Sequence, residues 1–89
     1  MANNPKIYFL IQKDNDACGI FVLSDNNHAS QMIKKIQNTE INRQSKNQII
    51  DMLEDFMQTQ TDISRIININ EYNEYDTINK IYEESYKKN

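Results

Sequence analysis

The chain has 89 residues and a formal net charge of −3, a length that accommodates one domain and excludes a second hydrophobic core. Its longest apolar run, from Ile7 to Ile11, excludes a transmembrane helix, which needs roughly 20 such residues. Its single cysteine, Cys18, excludes an internal disulfide, so we expect a cytoplasmic protein.

The first two predicted elements are the strands of a β-hairpin. Residues 6–13 and 19–24 are rich in β-branched and aromatic side chains, which are typical of strands, and a loop separates them. Apolar residues occupy one face of the first strand, and Tyr8 and Leu10 make its opposite face apolar as well. A sheet with one face in water alternates apolar and polar residues. We therefore expect both faces to be covered, by helices on each side or by a second copy of the chain.

Two helices and a third strand follow the hairpin. A helical spacing of apolar residues predicts a first helix that ends near Asn38. Ser45 and Gln48 have the spacing of a capping box, so a second helix is predicted over about residues 45–60. The isoleucine-rich residues 65–70 are predicted to form a short strand.

The last predicted element is a helix, in which four of the five tyrosines recur at helical spacing between residues 72 and 86. The complete order is β-β-α-α-β-α. We predict a small α+β domain over residues 1–89, with a three-stranded, mostly antiparallel sheet packed against helices. Residues 1–5 are expected to be flexible and contain no signal peptide.

The sequence predicts no catalytic, metal-binding or cofactor-binding residues. Acidic residues around the hairpin loop have part of the spacing of an EF-hand calcium loop, but that motif needs flanking helices, not strands. Cys18 and His28 are the only thiol and imidazole, and nothing in the sequence places them together as a nucleophile pair or zinc site. One glycine also cannot build a phosphate loop. Because none of these motifs is complete, we expect neither enzymatic activity nor a cofactor.

Acidic residues are concentrated in the C-terminal half. Residues 51–84 contain nine acidic and two basic side chains, a net charge of −7. Such a surface attracts basic partners, although a solvated helix face is the simpler alternative. The predicted partner-binding residues are acids of this segment and two of its tyrosines: Asp51, Glu54, Asp55, Glu71, Glu74, Tyr75, Asp76, Tyr82 and Glu83.

The tyrosines of the last helix have two interpretations. They can pack this helix against the sheet, with their hydroxyls at the rim, or they can form an acidic and aromatic binding face with the neighbouring carboxylates.

Direct nucleic-acid binding is not favoured, because Lys34, Lys35, Arg43 and Lys46 are too few for strong phosphate binding and the isoelectric point is about 5.0.

No family motif is visible, so the functional hypotheses rest on these features. The first is a non-enzymatic inhibitor or regulator that occupies a basic, nucleic-acid-binding surface of a partner protein. The abundance of asparagine, isoleucine and lysine indicates an AT-rich genome, that of a bacterium or one of its phages, and we expect a phage-type protein that antagonises host or defence enzymes. The second is a small structural or regulatory subunit that associates through apolar or tyrosine surfaces, including as a homodimer. A small-ligand binder in a dimer cleft is a third alternative.

Overall fold

The structure is a computed structural model that describes residues 4–86. It confirms the predicted element order and the small α+β domain. Its elements are β1 (Ile7–Lys13), β2 (Asp16–Leu23), α1 (Asn26–Gln37), α2 (Arg43–Thr59), β3 (Ile63–Asn68) and α3 (Tyr72–Tyr86). The predicted flexibility of residues 1–5 falls largely on residues 1–3, which lie outside the described range.

The sheet is mixed, so the prediction of a mostly antiparallel sheet is wrong. Its strand order is β2-β1-β3, with β1 antiparallel to β2 and parallel to β3. The reason lies in the two helices between β2 and β3. Asn26 at the start of α1 and Gln60 after α2 exchange two side-chain hydrogen bonds, so the chain returns to the end of the sheet at which β2 finished. From there β3 runs in the direction of β1.

A two-residue turn, shorter than the predicted loop, closes the hairpin. Asp14 and Asn15 have φ values of 50° and 67°. Positive φ at both central positions is the geometry of a type I′ turn, whose twist matches that of the flanking strands. Asn and Asp tolerate this conformation, which explains how the hairpin turns without glycine.

One buried cluster joins the sheet to the helices. The inner face of the sheet contributes Ile7, Phe9, Ile11, Phe21 and Leu23, and the rings of Phe9 and Phe21 stack with centroids 5.0 Å apart. Helix α1 packs against both α2 and α3. Within residues 4–86 no helix covers the outer face, so the expectation of helices on both sides is wrong, and a second copy remains a prediction.

The helix ends are capped by side chains. Asp25 accepts a hydrogen bond from the backbone N–H of Asn27, and Asn42 accepts one from that of Gln44. The predicted capping box is therefore wrong: α2 begins before Ser45, which is buried in its first turn.

None of the helices between residues 4 and 86 has the length and apolar composition required to span a bilayer.

Candidate partner-binding surfaces

Two of the carboxylates of α2, those of Asp51 and Asp55, lie beside the free edge of β3, whereas Glu54 lies on the side of α2 that faces α1. Asp51 and Glu54 are exposed, and neither forms an ion pair with another described residue. Asp55 is half-buried and accepts a hydrogen bond from Arg65 of β3 at 2.7 Å, in an ion pair partly open to solvent. Such exposed pairs stabilise a fold by about 1 kcal/mol or less. This pair therefore fixes local geometry more than it stabilises the domain.

A groove runs between α2 and β3. Its volume is about 370 Å³, and its lining residues are Gln48, Asp51, Met52, Asp55, Arg65, Ile66 and Ile67. The side chains of Met52 and Ile67 are buried and form an apolar floor, while the carboxylates of Asp51 and Asp55 stand at the rim. We call this feature the α2–β3 groove. It combines negative charge with apolar surface.

The edge of β3 facing this groove is partly blocked by a side chain. The Ile63 and Ile69 N–H groups donate to carbonyls of the β1 segment, so the backbone groups of Ile66 and Asn68 point away from β1. At Asn68 the side chain of Gln48 takes the place of a neighbouring strand: it accepts from the N–H at 3.2 Å and donates to the carbonyl at 2.9 Å. Ile66 leaves the edge open.

The carboxylates of α3 belong to another side of the molecule. Tyr82 of α3 donates a hydrogen bond to the Val22 carbonyl of β2, at the sheet edge opposite β3. The exposed acids of α3 and of the turn before it are Glu71, Asp76, Glu83 and Glu84. Since α2 lies along β3 and α3 along β2, the predicted binding residues do not form one continuous acidic surface.

Glu74 is a structural carboxylate, only 5% exposed. Its Oε2 accepts hydrogen bonds from the backbone N–H groups of Asn70 and Glu71, which precede α3. Its Oε1 accepts a hydrogen bond from the Ser45 hydroxyl of α2. The carboxylate therefore caps α3 and joins it to α2, and both of its oxygens are engaged inside the fold.

The tyrosines of α3 are divided between packing and exposure. Tyr82 is half-buried with its ring edge-on to Phe21, and burial raises the pKa of its phenol above the ordinary value of 10.0. Tyr75 lies against Gly19 of β2. Tyr72 and Tyr86 are exposed. Tyr75 and Tyr82 therefore pack α3 against the sheet, which was the first of the two interpretations of the tyrosines, rather than forming an open binding face.

A polar cluster joins the hairpin turn to α3. The hydroxyl of Tyr72 donates to Asp16 at 2.8 Å, and this hydrogen bond raises the pKa of Tyr72. The ammonium group of Lys13 donates to Asp14 at 2.8 Å, which raises the pKa of Lys13, and it also lies 5.1 Å from the centroid of the Tyr72 ring. These contacts are exposed, so the cluster positions the turn rather than forming a pocket.

The outer face of the sheet is exposed, apolar at its centre and uncharged. We call it the uncharged sheet face: Tyr8, Leu10, Gln12, Ala17, Ile20, Val22, Ser64, Ile66 and Asn68. Four of its large side chains are 40–73% exposed: Tyr8, Ile20, Val22 and Ile66. The sequence indicated its β1 and β2 parts, because Ile20 and Val22 lie opposite Phe21 and Leu23 in the second strand. It did not indicate Ile66, because that residue joins the face only when β3 pairs with β1.

The isolated thiol and imidazole lie in separate surroundings. The Sγ of Cys18 lies 3.7 Å from the carbonyl of Asp16 in β2. His28 is buried in the first turn of α1, where its Nε2 lies 2.9 Å from the carbonyl of Tyr82 and must carry the proton that it donates. Among residues 4–86, no group of three or more His, Cys, Asp or Glu side chains is placed to hold a metal ion.

Comparisons with protein-family models, with curated proteins and with solved structures found no match to the chain. The arguments for its function therefore come from its own residues. The α2–β3 groove and the uncharged sheet face are two surfaces whose chemistry differs from that of an ordinary solvated exterior.

Proposed function

We propose that the protein is a non-enzymatic inhibitor or regulator that binds a basic surface of a partner protein through the α2–β3 groove. The observation that carries this proposal is the position of Asp51 and Asp55 at the rim of an apolar floor. Glu54, one helical turn from Asp51, adds a further exposed carboxylate.

The groove suits a lysine or arginine side chain. Such side chains have an apolar stem that packs on apolar surface and a charged head that stays near solvent. The stem would lie over Met52 and Ile67, and the head would reach Asp51, which has no ion-pair partner among the described residues. An arginine could also share Asp55 with Arg65, since a carboxylate has two oxygens.

The charge of the whole C-terminal half supports the same partner class. A net charge of −7 over residues 51–84 attracts positively charged surfaces and increases their rate of encounter. Large basic surfaces are characteristic of proteins that bind nucleic acids. We therefore propose a nucleic-acid-handling protein as the partner, and a role like that of phage proteins that block host or defence enzymes.

The test is affinity capture from a lysate of the source organism with three versions of the protein. The first is wild type, and the second is Asp51→Asn with Glu54→Gln, which removes one carboxylate of the groove and one exposed carboxylate near it on α2. The third, Asp76→Asn with Glu83→Gln, removes two exposed charges from α3. Each capture is made at low salt and at about 0.5 M salt, where screening is strong.

A partner that fits the proposal binds wild type and the α3 variant, is lost with the groove variant, and is released at high salt. A partner lost equally with both variants would show that only total charge matters. That result, or a partner that survives high salt and both variants, would contradict binding at the groove. The variants change exposed side chains, so their thermal midpoints should stay close to that of wild type.

A second function has a specific observation in its favour. The uncharged sheet face supports a small structural or regulatory subunit that associates through apolar contacts. Tyr75 and Tyr82 are engaged inside the fold, so this face, and not the tyrosines, would make the contact. Its binding would persist at high salt and would be weakened by a charge placed at Ile20, which lies on this face and does not line the groove.

A further inference from the structure

We infer that the uncharged sheet face is covered in solution by a second copy of this chain, in a weak symmetric dimer. The inference develops the second function above and does not depend on the α2–β3 groove. Its starting point is the exposure of Ile20 and Ile66, which lie on the two outer strands on either side of the β1 residues Tyr8 and Leu10.

The chemistry of this face is that of an interface centre. None of its nine residues is charged, although charged residues make up 26% of the chain. Charged side chains occur at its ends, at Lys6, Asp14 and Asp62. Depletion of charge at the centre with polar residues at the rim distinguishes protein interfaces from ordinary surface.

The direction of association follows from the edges of the sheet. The Tyr82 hydroxyl donates to the Val22 carbonyl on the β2 edge, and the Gln48 side chain binds both backbone groups of Asn68 on the β3 edge. These contacts oppose addition of a further strand at either side. Association is therefore expected across the face.

A second copy is the occupant that matches this face in charge. The basic partner proposed for the groove would bury unpaired charges here, which is costly. Two copies repel one another through their net charges of −3, and on this face they can meet without placing like charges in contact. In a two-fold dimer the same patch serves both subunits, so aliphatic residues meet aliphatic residues.

The size of the face sets the strength of the dimer. Three strands about 4.8 Å apart, with about six residues each at 3.3 Å per residue, give an area of about 300 Å² in projection. A standard stable interface buries about 800 Å² on each partner. A contact of this size belongs with weak, transient interfaces, so we expect the dimer to depend on protein concentration.

The experiment is sedimentation equilibrium of the purified protein from about 10 µM to about 1 mM, the concentrations at which weak self-association is populated. The variants Ile20→Glu and Ile66→Glu each place a charge on the sheet face. Tyr86→Glu is the matched control, because Tyr86 is 69% exposed and lies on α3, away from this face. Circular dichroism establishes that each variant is folded.

We expect the wild-type mass to rise from 10.6 kDa towards twice that value, and to do so equally at about 0.5 M salt. Each sheet-face variant should weaken association at least about tenfold, since two introduced carboxylates would be buried per dimer. Tyr86→Glu should associate like wild type. A wild-type mass constant up to about 1 mM, a dimer unaffected by both sheet-face variants, or one dissociated by salt would overturn the inference.

These outcomes are separable from those for the groove. The dimer is measured with the protein alone, whereas groove binding is measured by capture of a partner. The groove variant, Asp51→Asn with Glu54→Gln, should leave the dimer mass unchanged. Absence of a dimer together with salt-sensitive capture would overturn this inference and leave the groove proposal in place.

Discussion

At the scale of single residues, Glu74 shows how one buried carboxylate can organise three parts of the chain. It accepts hydrogen bonds from two backbone N–H groups ahead of α3 and from Ser45 of α2. A negative charge at this place is stabilised by the unpaired N–H groups and the dipole of the helix start. The same contacts engage both of its oxygens inside the fold.

Replacing Glu74 with glutamine should destabilise the domain. The amide keeps the shape of the side chain but loses the charge and one acceptor oxygen, so at least one N–H or hydroxyl loses its partner. We expect a loss of about 1–3 kcal/mol in the free energy of unfolding, measured in urea. Glu84→Gln, an exposed change in the same helix, is the control. Equal effects from the two changes would contradict a structural role for Glu74.

Gly19 is required for the approach of α3 to β2. A Cβ added at this position would lie 2.5 Å from the Oη and 2.8 Å from the Cε1 of Tyr75. Gly19→Ala should therefore displace the tyrosine and cost about 1–3 kcal/mol of unfolding free energy. In the double variant with Tyr75→Leu the clash is absent, so the combined loss should be smaller than the sum of the single losses. Additive losses would exclude this contact as the cause.

The role of Glu74 could not be predicted from the sequence, and the reason is physical. Charge alone indicates exposure, and Glu74 stands among other acids that are exposed, such as Glu71 and Asp76. Its burial depends on Ser45, which is 29 residues away. By contrast, the exposure of Asp51 and Glu54 followed from helical spacing alone, because apolar residues identify the opposite side of α2.

At the scale of elements, the local sequence pattern was sufficient to predict the order of the strands and helices but not the direction of β3 in the sheet. Each strand and helix has its own apolar period, and the six elements appear in the predicted sequence. Whether β3 runs with or against β1 depends on how α1 and α2 pack, which no local pattern contains. The mixed sheet is therefore a tertiary result, as is the presence of Ile66 on the outer face.

Gln48 is expected to protect the β3 edge. In Gln48→Ala, the N–H of Asn68 loses its acceptor, so its amide hydrogen exchange should become about 2- to 12-fold faster, as expected for one hydrogen bond. Gln48→Glu keeps an acceptor oxygen and should retain most of the protection. The amide of Ile67, which faces β1, serves as the internal reference. Unchanged exchange at Asn68 in the alanine variant would exclude this role.

The contact between α3 and β2 should make stability depend on alkaline pH. Burial raises the pKa of Tyr82 in the folded state above its ordinary value of 10.0. The neutral phenol therefore makes its full contribution to the free energy of unfolding below pH 10, and this contribution is lost as the pH rises through the folded-state pKa. Thermal midpoints should therefore fall above about pH 10 by less in Tyr82→Phe than in wild type. Tyr8→Phe, on the outer face, controls for removal of a phenol. A fall identical in all three proteins would contradict this assignment.

At the scale of the whole molecule, the acidic residues are distributed over two opposite edges of the sheet. The α2 carboxylates of Asp51 and Asp55 lie beside β3, and those of α3 lie on the β2 side. A basic partner can therefore be attracted by the total charge but can be held at only one edge. This separation makes the comparison of groove and α3 variants informative, because total charge is equal while position differs.

One buried cluster that includes residues of every element also predicts one cooperative unfolding transition. The chain has no tryptophan, and Tyr72, Tyr75, Tyr82 and Tyr86 of its five tyrosines lie in α3, so tyrosine fluorescence chiefly reports on that helix. Circular dichroism at short wavelength reports on all helices. In urea, at concentrations well below that of dimer formation, the two signals should change with the same midpoint and slope. An earlier fluorescence change would show that α3 detaches while the sheet and the other helices remain folded, and the contacts of Glu74 and Tyr82 would then be too weak to join α3 to the core.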